Sequence, residues 1–373
     1  MGQVFDCIVV GGGLVGSAVA YGVCSAGGTV ALLDEGDVAY RASRGNFGQL
    51  WVQGKGRGKP PYAELTKAAA VAWAGFAARL EAEGGIDVYY RGTGGFWFGF
   101  APKDVEDRAA MMEDIGAASG IPYRMVEPAE LRKILPRIGD AVVGASFCPL
   151  DGDVNPLYAL RALHAAIGRR GGRIVNGAPA LAVEPAAEGF VARTATQSIS
   201  GRRVVLAAGL GNPALGRPLG LDIPVSPLRG QILVTERVEP FLPVCTNKLR
   251  QTPEGTVMFG STEEEAGFDD GTTHAAMVKL ARRGIETFPM LAQARLVRHW
   301  AALRIMTPDG LPIYQESLSH PGAFVVTCHS GVTLVPVHAR VVGPWVLGRQ
   351  DIPALLDHPV FSASRFDGKR GPL

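Results

Sequence analysis

Short apolar runs closed by a glycine punctuate the chain at three distant places. Cys7, Ile8, Val9 and Val10 run into Gly11-Gly12-Gly13-Leu14-Val15-Gly16; Val204, Val205, Leu206, Ala207 and Ala208 close on Gly209; residues 323–327 lead through Cys328-His329-Ser330 to Gly331. Runs of this length bounded by turn residues predict strands. After the first comes a helix of small residues over 17–26, a Gly27-Gly28 stop, and a second strand over 29–33 that ends on Asp34. Helices are predicted over 62–83, 103–117, 127–134, 156–170 and 275–287. Further strands are predicted at 96–98, 173–183, 230–235 and 256–260, with a polar, glycine-studded loop over 41–59 and a frayed tail beyond Phe361.

The first of these units carries chemistry. Strand, G-x-G-x-x-G, helix, strand and acid is the order of a dinucleotide site. Gly11 permits the tight turn, Gly13 lets backbone approach a pyrophosphate, and Gly16 lets helix and strand pack closely, while the helix start at Leu14 and Val15 offers free N–H groups. Asp34, about 20 residues on with Glu35 beside it, stands where an acid accepts hydrogen bonds from a ribose 2′-OH. A glycine-rich turn without a ligand would leave that acid unexplained. In an open α/β sheet ligands sit at the carboxyl ends of strands. Three glycine-ended strands converging on one ligand imply a long cofactor, which favours FAD over NAD. The fold expected is α/β: a discontinuous Rossmann-like FAD-binding domain (1–85, 151–215 and 319–373) with an inserted antiparallel-sheet α+β substrate-binding domain (86–150 and 216–318).

Composition narrows the setting. A length of 373 residues suits two domains or three at about 150 residues each. Glycine, with 49 residues, is about 13% of the chain against a usual share of roughly 7%. A hydrophobic share of 47% with 19% charged argues against disorder, and a net charge of +2 provides no field for nucleic acid. No apolar run approaches the ~18 residues of a membrane span. Met1-Gly2 begins a weak myristoylation pattern, but Asp6 occupies the position that should be Ser or Thr. Five cysteines without a C-x-x-C indicate neither a disulfide framework nor a metal site. A soluble, reduced, cytoplasmic protein without an iron–sulfur cluster of its own is expected.

Beyond the Gly11–Gly16 turn and Asp34, further segments carry a resemblance: 204–209, Pro227-Leu228-Arg229-Gly230-Gln231, and Trp300 through Arg304 to Thr307-Pro308-Asp309-Gly310. Over nearly its full length the chain resembles the FAD-dependent amino-acid and amine oxidoreductases typified by D-amino acid oxidase, glycine oxidase and sarcosine oxidase. The loop Arg44-Gly45-Asn46-Phe47-Gly48-Gln49-Leu50-Trp51-Val52-Gln53-Gly54-Lys55-Gly56 and the turn Cys328 to Leu334 are similar to the FAD subunits of opine oxidases (octopine and nopaline dehydrogenases). They also resemble D-hydroxyproline dehydrogenase and the hydrogen cyanide synthase flavin subunit. Those relatives work with partner subunits that carry a second flavin or an iron–sulfur cluster, which the resemblance implies here.

The resemblance also assigns roles. Ser43, Asn46, Phe47 and Gly48 would wrap the cofactor, Ala180 would meet the adenine through its backbone, and Ala208 and Gly209 would close the second strand end. Ser330, Gly331, Val332, Thr333 and Leu334 would lie beside the flavin ring, where helix-start N–H groups stabilise charge at N1/O2. Arg304 would clamp a substrate carboxylate, a task suited to a planar guanidinium, with a structural ion pair as the alternative. His329 is a candidate acid–base group or a structural histidine. Gln53 and Lys55 reach the substrate or form a solvated rim. Sarcosine oxidases attach flavin through a cysteine where this chain has Ala302, so non-covalent FAD is implied. The expected reaction is oxidation of the C–N bond of a secondary-amine amino acid by hydride transfer to flavin N5, as part of a heteromeric dehydrogenase. A stand-alone oxygen-using glycine, sarcosine or D-amino acid oxidase is the alternative.

Overall fold

A computed structural model of the chain describes residues 3–36 and 42–367. Its largest sheet has eight strands. Val4–Val10 lies in the middle, parallel to Val30–Leu33 on one side and to Ser198–Leu206 on the other. Arg173–Val175 extends the first flank and Ala323–Thr327 the second, again in parallel. Ile313–Glu316 closes one edge antiparallel to Ala323–Thr327, and the hairpin of Ala182–Ala186 with Gly189–Arg193 pairs onto the start of Ser198–Leu206.

The unbroken apolar runs follow from covering both faces of this sheet. Cys7 and Val9 point into a cluster with the helices Leu14–Ser25, Pro60–Gly84 and Pro156–Arg169, whereas Ile8 and Val10 join Leu206, Leu219 and Val325 on the other face. Small residues bring the first helix close to the C-terminal one: a Cβ on Gly343 would stand 2.6 Å from the Gly22 Cα.

A second region consists of two four-stranded sheets. In one, Ser226–Arg237 pairs antiparallel with Leu296–Met306 and with Thr256–Gly260, which carries Leu249–Gln251. The other runs in the order Cys245–Thr246, Gly95–Gly99, Gly144–Cys148, Arg124–Val126. Phe96, Phe98, Leu233, Val257, Phe259 and Phe288 share one apolar cluster, so the aromatic patch at 96–98 is core. Leu280 adds the helix His274–Thr287, which Thr273 caps by accepting from the Ala276 N–H.

Four expectations change. The strand over 173–183 is two strands: Arg173–Val175 stays in the parallel sheet, Gly177 turns the chain (φ +65°), and Ala182 opens the hairpin. The Ala178 amide then bonds to the Asp34 carbonyl at 2.8 Å, which sets Ala180 beside the end of the second strand. Leu219, Leu221 and Ile223 pack under the eight-stranded sheet, so 216–223 does not go with the second region. Ile313–Glu316 is that sheet's edge strand, and 313–316 moves likewise. Beyond Phe361 the chain is packed as far as Asp367: Phe361 is buried and Arg365 pairs with Asp309 at 2.8 Å. Met1-Gly2, residues 37–41, of which 41 begins the expected loop, and 368–373 lie outside the described residues. Among the described residues no helix is long and apolar enough to cross a membrane.

Candidate active site

Three parallel strands deliver their carboxyl ends to one place. Gly11 (φ +108°) and Gly209 (φ +58°) turn the chain out of the first two, and His329 to Gly331 follow the third. A cavity of about 400 Å³ opens over these ends. Its walls include Gly11, Gly13, Val15, Asp34, Glu35, Ala180, Ala208 and Gly209. Gly13 caps the Leu14–Ser25 helix without a side chain, and Ser43 reaches in to accept the Leu14 N–H at 2.9 Å. Asp34 is 4% exposed; one carboxylate oxygen accepts the Gly36 N–H at 3.1 Å and the other receives Arg44 at 3.0 Å.

A second cavity of about 380 Å³ adjoins the first and shares Val15, Ser43, Leu303, Ile305 and Cys328 with it. Leu14, Asn46, Phe47, Arg304 and the run His329, Ser330, Gly331, Val332 and Thr333 line it. The Gly331 turn is fastened from behind by the long helix: the Tyr62 hydroxyl meets Ser330 Oγ at 2.7 Å, and Trp73 Nε1 donates to the Thr333 carbonyl at 3.0 Å. Thr333 Oγ1 in turn accepts the Trp51 N–H at 3.1 Å, and Asn46 Oδ1 closes its own loop by accepting the Gly48 N–H at 2.6 Å.

Arg304 reaches this cavity from Leu296–Met306, paired opposite Leu228. Its guanidinium donates to Ser261 Oγ, to the Thr262 carbonyl at 2.8 Å and to the Arg229 carbonyl at 3.4 Å. All three partners are neutral oxygens. Gly230 makes the room, for a Cβ there would stand 2.7 Å from Arg304 Nη2. Lys55, Lys248 and Glu263 face the same space. Burial, aided by Arg304, pushes the Lys55 ammonium down to about 8. Burial and the cations of Lys55 and Arg304 push the His329 imidazole down to about 3. It is therefore uncharged at neutral pH and brings no imidazolium proton to the site. Burial pushes the Cys328 thiol up to about 12, which keeps it protonated.

Four expected site residues lie elsewhere. Gln53 is fully buried behind the cavity: it bonds Asp151 at 2.6 Å and the Gly95 carbonyl at 2.9 Å, and receives Arg108 at 2.7 Å and Ser146 at 2.6 Å. With every polar atom taken, it holds two segments together and does not reach a substrate. Leu334 is fully buried core. Gly48 (φ +84°) is a turn residue packed under Val154. Gly16 sits against the Gly11 carbonyl, the close packing expected of the third glycine, and not on the cavity wall. Sequence reasoning missed Lys248, Ser261 and Glu263, which no motif marks.

Residues 6–345 match the family described as FAD dependent oxidoreductase. The chain belongs to that family. As an FAD-dependent oxidoreductase it is 39% identical to the B subunit of the opine oxidase of Agrobacterium tumefaciens (strain Ach5) over 98% of both chains. Identity to the B subunit of the Rhizobium meliloti opine oxidase is 37% over the same shares. Glycine oxidase of Pseudomonas putida is 27% identical over 92% of this chain and 95% of its own. Among solved structures, glycine oxidase from Geobacillus kaustophilus has the same fold, with a TM-score of 0.90 at 24% identity over 98% of this chain and 99% of that one. The enzyme is an oxidoreductase that uses FAD, as the resemblance implied.

The residues present fit that cofactor. Two adjoining cavities run from Asp34 to the Gly331 turn, and between them lies a helix start that Gly13 caps without a side chain of its own. At Gly13 a Cβ would stand 2.8 Å from Ser43 Oγ, so the wall there is open only because the residue is glycine. Gly11, Gly13 and Ser43 would hold the pyrophosphate, Ala180 and Asp34 the adenosine end, and Ser330 to Thr333 the ring.

Proposed function

We propose that this chain is the flavin-carrying member of a heteromeric dehydrogenase that oxidises a secondary-amine amino acid, an opine or a D-imino acid such as D-hydroxyproline. One observation carries the carboxylate part of the reading: Arg304 faces the inner cavity with only neutral oxygens as hydrogen-bond partners, and among the described residues no carboxylate pairs with it. A half-buried guanidinium without a paired carboxylate is prepared to receive one. The kinship with the B subunits of two opine oxidases supports the secondary amine and the partner subunits. FAD, when bound, would supply the acceptor for the hydride leaving the carbon that bears nitrogen, and water would hydrolyse the resulting imine. Arg304 orients the substrate for that step. The apolar wall of Leu303 and Ile305 limits water. FAD is held without a covalent bond, since Ala302 occupies the inner wall and the Cys328 thiol stays protonated. The two regions of the fold form a cofactor domain and a substrate domain, with 216–223 and 313–316 on the cofactor side.

An anaerobic screen of amines, read by bleaching of the flavin band, tests the activity. The isolated chain is expected to pass electrons to dyes far faster than to oxygen. Peroxide formed at dye-like rates on glycine, sarcosine or a D-amino acid would instead favour the stand-alone oxidase, which the 27% identity to glycine oxidase keeps in view.

A further inference from the structure

We propose that Lys248 anchors a second carboxylate, so that the site selects secondary amines whose nitrogen joins two carboxylate-bearing arms. The proposal rests on the amine-oxidation reading above and adds the substrate feature that sets specificity. Among the described residues three cations, Lys55, Lys248 and Arg304, line the inner cavity against one acid, Glu263. A single substrate carboxylate would leave this surplus uncompensated in a partly desolvated space, which is costly.

Lys248 stands apart from Lys55 by its position. Its backbone is pinned by Thr246, whose Oγ1 accepts the Lys248 N–H at 3.3 Å and the Leu249 N–H at 2.8 Å. Its ammonium makes one long bond, to the Ser261 carbonyl at 3.3 Å, and an ammonium has three protons to place. Arg304 bonds the same serine through Oγ. The two cationic heads thus flank one residue, a short spacing that suits carboxylates on two arms of one nitrogen. The field of Lys55 falls on His329 and Cys328 as well as on Arg304. Burial also lowers the Lys248 ammonium while Glu263 supports its charge, the balance an incoming anion would complete.

The test compares iminodiacetate with sarcosine, which differ by one carboxylate, titrated without air into the FAD-loaded full chain and read as perturbation of the flavin spectrum. Wild type is expected to bind iminodiacetate roughly 10- to 100-fold more tightly. Lys248→Met should bring the two probes near parity by weakening iminodiacetate alone, and Lys248→Arg should keep most of the preference. Arg304→Ala should weaken both. Parity in the wild type, no binding of either probe, or equal weakening of both by Lys248→Met would overturn the assignment. If Lys248→Met fails to take up flavin, wild-type selectivity and its retention in Lys248→Arg still decide. Selective binding with no amine able to bleach the flavin would leave the anchor standing and refute the oxidation reading.

Discussion

The outer cavity, around Asp34 and the strand ends, is walled largely by backbone and small residues: Gly11, Gly13, Ala180, Ala208 and Gly209. The inner cavity is defined by long charged side chains, Lys55, Lys248, Glu263 and Arg304, which come from loops and one strand scattered over some 250 positions. The outer one inherits its shape from parallel strands whose register leaves few choices. The inner one depends on where flexible side chains are held, by Ser261 and Gly230 for Arg304 and by Thr246 for Lys248. A site made from backbone keeps its ligand when surface residues change. A site made from side chains changes ligand through one or two substitutions.

The contrast makes Gly13→Val the most damaging change in the outer cavity. Its Cβ would press on Ser43 Oγ at 2.8 Å, and the branched methyls would project into the pyrophosphate's place. Purified protein should be colourless, with unchanged far-ultraviolet circular dichroism; a yellow variant would mean that the outer wall is as adaptable as the inner. Arg304→Ala acts on the inner cavity alone. Hydrogen bonds to a charged group contribute on the order of 1.5–3 kcal/mol, so substrate affinity should fall roughly 10- to 150-fold with the flavin spectrum intact. Arg304→Lys should recover part of it. Loss of FAD from Arg304→Ala would show that the two cavities are not separable.

The smallest effect concerns pH. Lys55 keeps its charge below about 8 and loses it above, so binding of a nitrogen-free carboxylate such as glycolate should weaken as pH rises from 7 to 9. An effect of about 2- to 5-fold fits one partly screened charge. Lys55→Met should flatten that slope. His329, held near 3, is uncharged throughout and should add nothing to the profile, which a His329→Gln titration checks.

These differences also explain what could be read from sequence. The eight-stranded sheet and its ligand edge were legible because apolar runs, glycine turns and Asp34 are local features with fixed spacing. Arg304 was legible through the turn at 307–310 that follows it. Lys248 and Glu263 were not, since a half-buried lysine and an exposed acid on loops look like solvated surface until the fold sets them beside a cavity. Gln53 misled for the opposite reason: a polar residue in a cofactor loop looks like a ligand group, and only the tertiary contacts reveal Asp151 and Arg108 as its partners. The 173–183 segment failed as one strand because its apolar pattern continues across the bend at Gly177.

Gly230 carries a consequence for how such a protein drifts. The glycine has no group to offer a substrate, yet any side chain there collides with the Arg304 guanidinium. In a systematic mutational scan, position 230 would therefore score like a substrate-recognition residue, and a ranking of positions by chemical functionality would overlook it. A single added methyl across the strand pair would shift the Arg304 guanidinium without mutating it, which gives a lineage a short route from one amine to another with the cofactor half of the molecule left untouched.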